Sequence, residues 1–188
     1  MSKILNLCNG KVRGIVEIYT NRFQYHNAKV VLRAVENEVD VKKVSHSILP
    51  EESEINTPWL KIIEESNTIR DAVEQMRRLP FGKALLALGE EEGLQKYEDE
   101  LDRHYFKKSL GMLQSGAPDI RILKNHLCAE IDHRNIINIL EGHAFGLSSE
   151  EITEALISGG RLIAERNFSQ ATSSREAVSY THLRAHET

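Results

Sequence analysis

Apolar residues recur along this chain at three- and four-residue steps, the spacing that lines one face of an α-helix. Between Lys11 and Asn37 the stripe runs Val12, Ile15, Tyr19, Phe23, Val31; between Asp119 and Gly142 it runs Ile120, Leu123, Leu127, Ile131, Ile139. Each member of the second stripe stands 108 positions after its partner in the first, and both stripes skip one turn, at Asn27 and at Asn135. Arg13 with Arg121 and Leu32 with Leu140 keep the same offset. So do Asp40 with Ser148, both expected as helix N-caps, and Val44, Ile48 and Leu49 with Ile152, Leu156 and Ile157. Two amphipathic helices can share a stripe by chance. An offset that runs on through the cap and the next helix marks an internal repeat. An amide on an apolar stripe costs stability unless it is hydrogen-bonded, so Asn27 and Asn135 are predicted to be repeat-equivalent tethers of a neighbouring turn or helix end.

Past Pro50 the offset slips to 105, with Arg70, Asp71 and Ala72 opposite Arg175, Glu176 and Ala177. Thr57-Pro58-Trp59 supplies an N-cap and a proline at the first helical position, ahead of Leu60, Ile62 and Ile63. A further helix is predicted from Thr68 to about Leu79-Pro80, then a turn of helix through Lys83 to Leu88. Leu94 to Gln114 carries Leu94, Tyr97, Leu101 and Tyr105 on one face, then Met112 and Leu113, and ends at Ser115-Gly116-Ala117-Pro118. No alternating β-branched run reads as a strand. The predicted class is all-α.

Composition narrows the function classes. The 188 residues are 28% charged and 40% hydrophobic, as in a globular, helix-rich protein, and 24 Lys and Arg against 28 Asp and Glu give a net charge of -4 with no basic excess for nucleic acid. No apolar run reaches the ~20 residues that span a bilayer, and residues 1–12 have no signal-peptide core. Two cysteines are too few for a disulfide framework. Gly82-Lys83 and Gly159-Gly160-Arg161 lack the spacing and strand context of a phosphate loop and read as helix ends and turns. His126, Glu130 and His133 fall on one helical face with Glu130-Ile131-Asp132-His133 as a Glu-x-x-His, but a di-iron bundle needs a second such motif, and none occurs. Cys8 and Cys128, in amphipathic helices without a glycine elbow or a paired base, read as packing residues. No catalytic, cofactor-binding or metal residue is predicted, and no cofactor.

Val178 to Thr188, VSYTHLRAHET, looks like the translation of a sequencing-library adapter, and is expected to be neither native nor packed. The rest has a family resemblance. Asp119 to Leu162 resembles the C subunit of V/A-type rotary ATPases and ATP synthases, called the d subunit in vacuolar enzymes. The likeness lies in Glu130-Ile131-Asp132 with Asn135-Ile136, in Gly146-Leu147-Ser148 leading into Glu150-Glu151-Ile152, and in Ile157-Ser158-Gly159-Gly160-Arg161-Leu162. Leu101-Asp102-Arg103-His104-Tyr105-Phe106 is similar to the family's Leu-Asp-Arg-Tyr-Tyr stretch, and Tyr25-His26-Asn27-Ala28-Lys29 with Leu32-Arg33-Ala34 resembles the same signature one domain earlier. Departures fall at Gln24, where Asp is common and Asp132 keeps it, and at Ser158, where Pro is common.

The resemblance implies three similar helical domains forming a funnel. Residues 1–92 would be part of the second and 93–177 part of the third, with both ends cut. It implies a non-catalytic central-stalk subunit whose partners are the shaft and the membrane rotor ring, peripheral on the cytoplasmic face of the membrane without a span of its own. Its task would be to pass torque between ATP chemistry and proton or sodium transport. The competing reading is a cytosolic helical-repeat scaffold, whose repeats of ~20 to 50 residues are shorter than the 108-residue unit found here.

Overall fold

The computed structural model describes residues 7–50, 56–89, 92–114, 117–161 and 171–172. They form α1 (Gly10–Glu36), α2 (Val41–Val44) running into a 3-10 turn (Ser45–Ser47), α3 (Thr57–Glu65), α4 (Ile69–Gln75), α5 (Gly82–Leu86), α6 (Leu94–Met112), α7 (Pro118–Ala144) and α8 (Ser149–Glu154). The protein is all-α, with no strand among the described residues. Two compact units divide it, Met1–Tyr105 and Phe106–Thr188. They part inside α6. Residues 178–188 lie outside the described part.

In the first unit α1 packs against α3 and α4, which bring Trp59, Ile62, Ile63, Ala72 and Val73 into the core. Thr68 opens α4 with a capping box: its hydroxyl accepts from the Asp71 N–H, and the Asp71 carboxylate accepts from the Thr68 N–H at 3.0 Å. At Thr57 the cap differs from expectation, because Asn56 holds that place and Pro58 lies within the first turn. Asn56 instead turns its amide Nδ2 to the Pro50 carbonyl at 2.6 Å.

The apolar stripe of α1 is broader than the sequence suggests. Ile18, Tyr25, Ala28, Val31 and Leu32 are buried, while Val12 and Tyr19 are 56% and 45% exposed. The cause is that α1 is contacted on a second side, by the start of α6, so its apolar residues cannot form one narrow seam. Arg33 donates to both Glu98 carboxylate oxygens, one at 2.6 Å; Lys29 Nζ pairs with Asp102 at 2.7 Å; and the Tyr25 hydroxyl is hydrogen-bonded to His104 Nδ1 at 2.8 Å. Phe81 and Tyr105 pack on the Tyr25 ring with centroids 4.9 and 5.3 Å away.

The second unit is built on α7, which starts with Pro118 in its first turn and buries Ile120, Leu123, Leu127, Ile131 and Ile139, the whole stripe. Both long helices end alike. The N–H of Val39 bonds to the Ala34 carbonyl at 2.8 Å and that of Glu38 to Val35 at 3.2 Å; 108 residues on, Leu147 bonds to Gly142 at 2.9 Å and Gly146 to His143 at 3.1 Å. Each is a Schellman stop with a left-handed residue, Glu38 at φ 50° and Gly146 at φ 72°. N-caps follow at once. Asp40 accepts from the Lys42 N–H, and Ser148 forms a capping box with Glu151 ahead of α8, whose Ile152 packs with Ile139, Leu156 and Ala171.

Candidate functional site

After the short helix that follows its stop, each unit returns its chain to the long helix and is fastened there by one side chain. Asn27 Nδ2 donates to the Leu49 carbonyl at 2.7 Å, and the Leu49 N–H donates back to Asn27 Oδ1 at 2.9 Å. In the second unit Asn135 Nδ2 donates to the Ile157 carbonyl at 2.9 Å and the Ile157 N–H returns to Asn135 Oδ1 at 2.8 Å. A primary amide carries one donor edge and one acceptor edge, which match the C=O and N–H of a single residue. Both asparagines are buried, so each pair satisfies four polar groups that would otherwise be stranded in apolar surroundings.

The second unit adds further fastenings. Asp132, one turn before Asn135, accepts from the Arg161 N–H at 3.0 Å, and a Cβ on Gly160 would strike its Oδ1. Gly159, at φ 107°, leaves room for Leu110, since a Cβ there would lie 2.7 Å from Leu110 Cδ1. Asn138 Nδ2 reaches the Ala155 carbonyl at 2.8 Å. Asp132, Asn135, Ile157 and Arg161, four of the residues that carry the family likeness, thus meet where α7 grips the loop after α8. In the first unit Gln24 stands where Asp132 does. Its Oε1 is buried with no hydrogen-bond partner, and it lines a cavity of about 440 Å³ with Phe23, Leu49, Trp59, Ile62 and Arg78.

His126 Nε2 lies 3.6 Å from Glu130, while His133, one turn on, is exposed. Among the described residues no group of three or more His, Cys, Asp or Glu could hold a metal ion. Cys128 is buried, Cys8 half-buried, and both are free thiols. Gly82 is a packing glycine whose Cβ would crowd the backbone of Met76 and Arg77. Gly159-Gly160-Arg161 is the turn that receives Asp132. Each asparagine amide spends one donor and its acceptor oxygen on a single backbone residue, an arrangement that holds a loop in place. Not foreseen from sequence were the ion pairs of α1 with α6, although Lys29 and Arg33 at i, i+4 and Glu98 and Asp102 at i, i+4 are a complementary charge spacing. No helix among the described residues is long and apolar enough to cross a membrane.

Comparison with known proteins gives a consistent picture. A family model described as "ATP synthase (C/AC39) subunit" matches residues 1–185. The chain is similar to the C subunit of the A-type ATP synthase of Halorubrum lacusprofundi, 27% identical over 184 residues that cover 94% of this chain and 51% of the relative. The same subunit from Haloferax volcanii is 26% identical, with coverages of 94% and 51%. That of Thermococcus kodakarensis is 30% identical over 110 residues, 57% of this chain and 30% of the relative. The chain therefore spans about a third to a half of the length of these relatives.

Proposed function

We propose, since this chain belongs to the ATP synthase (C/AC39) subunit family, that the complete protein is the non-catalytic central-stalk element joining the rotating shaft to the membrane ion-translocating ring, seated on the cytoplasmic face of the membrane. The observation that carries this reading is the family match over residues 1–185. The construction of the two units supports it. A torque-bearing joint needs elements that do not shear, and here each long helix is locked to its following loop by a two-way amide bridge and stopped by the same Schellman turn. On this reading residues 1–92 belong to the second and 93–177 to the third of three helical domains, and Asn27 and Asn135 hold matching joints within them. Transmission across such a joint calls for interfaces of roughly 1,000 Å² or more on either side rather than a pocket.

Binding tests this reading. The full-length protein should bind the purified shaft subunits and, independently, the purified rotor ring in detergent, and should bridge the two in one complex. Binding to neither would make the protein a helical scaffold of another kind.

A further inference from the structure

One position on the two long helices meets backbone in the second unit and a void in the first. In the second unit the Asp132 carboxylate accepts from the Arg161 N–H at 3.0 Å, and Gly160 lies so close that an added Cβ would strike its Oδ1. In the first unit Gln24 holds that position, and its Oε1 is buried without a hydrogen-bond partner while the side chain lines the cavity of about 440 Å³. A buried acceptor left unanswered costs stability, so an N–H or O–H donor that reaches Gln24 Oε1 is favoured there. The void is far larger than the about 30 Å³ that one water occupies, and it falls in the range of roughly 300 to 1,000 Å³ typical of small-molecule sites.

The rest of the lining states what fits. Phe23, Trp59 and Ile62 give the cavity aromatic and aliphatic walls. Arg78 lines it too; this side chain is exposed, and among the described residues no hydrogen bond or ion pair engages its guanidinium. A guanidinium without a carboxylate partner is a ready receptor for a planar anion, which it can hold through two parallel N–H bonds. An alkyl acid would suit Arg78 and the apolar walls but leave Gln24 Oε1 bare. A neutral aromatic amine would answer Gln24 and leave Arg78 unpaired. An aromatic ring system that carries both an anionic group and an N–H or O–H donor meets all three features.

We propose that this cavity, lined by α1, α3 and the end of α4, is a binding site for a small aromatic anion whose N–H or O–H donates to Gln24 Oε1 and whose carboxylate or sulfonate pairs with Arg78. The site belongs to the first unit alone and stands independently of the coupling role.

Fluorescence tests the proposal, because Trp59 is the single tryptophan of the 188 residues and lines the cavity itself. The probe is anilinonaphthalene sulfonate, which joins an aromatic body, an aniline N–H and a sulfonate; N-phenylnaphthylamine is its counterpart without the charge. Titrated into the 188-residue chain, the sulfonate should quench Trp59 emission saturably, with one probe bound per chain. Arg78→Gln should weaken the sulfonate at least about tenfold, the loss of a hydrogen bond to a charged group, and leave the uncharged probe within about twofold. Gln24→Leu should weaken both probes about fivefold, the loss of a neutral hydrogen bond. Circular dichroism of each variant checks that helix content is unchanged. No saturable quenching of Trp59 would overturn the proposal. So would quenching that both substitutions leave unaltered, which would mean that the dye sits on exposed apolar residues elsewhere.

Discussion

A buried asparagine is tolerable only when both edges of its amide are used, and Asn27 and Asn135 each use both on one backbone residue. Replacing either by Leu leaves a buried N–H and C=O unanswered, so each variant should lose ~1 to 3 kcal/mol. Urea unfolding of the single variants checks this, and a loss below 0.5 kcal/mol at both positions (about the scatter of a neutral surface change) would contradict the bridging role. Tyr25 presents a second residue-scale case. Burial, and then the neighbouring Tyr105, push its phenol up to about 12 from an ordinary value of 10.0. The folded state therefore holds this proton more tightly than the unfolded chain does. Its contribution to stability is fully present below pH 10 and is lost as the pH rises from 10 towards 12. Tyr25→Phe should flatten the fall of Tm across that window relative to the native chain; an unchanged slope would mean that Tyr25 ionises as an ordinary surface phenol.

At the scale of elements, the two units solve the same packing problem with the same volume differently divided. Gly142 on α7 lies against Ile152 of α8, so closely that an added Cβ would come within 2.6 Å of Ile152 Cγ1. At the equivalent places the first unit has Ala34 and Val44, both buried. One carbon has moved across the contact. Gly142→Ala should therefore destabilise by ~1 kcal/mol, because overpacking of ~1 to 3 kcal/mol outweighs the ~1 kcal/mol gain in helix propensity. Adding Ile152→Val, which recreates the pair found in the first unit, should restore most of the lost Tm; no recovery would break the equivalence. The long helices, their stops and caps were legible because periodicity, Asp40, Ser148 and Glu151 are local signals. The exposed Val12 and Tyr19 were not, since a stripe gives the direction of a face and leaves open how many neighbours share it. The α1 to α6 ion pairs and the unpartnered Gln24 Oε1 were missed for a related reason: they depend on contacts between residues far apart in sequence.

For the whole molecule, the sequence supports two related helical units and a family, and the structure adds how each unit is fastened. The tethers Asn27 and Asn135 could be picked out as polar breaks in apolar stripes, whereas their partners Leu49 and Ile157 contribute only backbone groups, which leave no mark in a sequence. Residues of this kind stiffen a body, which is what the proposed coupling role requires. The most direct measurement is ion transport per ATP hydrolysed, in vesicles carrying the rotary complex with the full-length protein removed and then restored. Removal should leave ATP hydrolysis by the catalytic head in place while ATP-driven ion uptake falls to background, and adding the protein back should restore uptake. An unchanged ratio of ions moved to ATP consumed without it would contradict the coupling role.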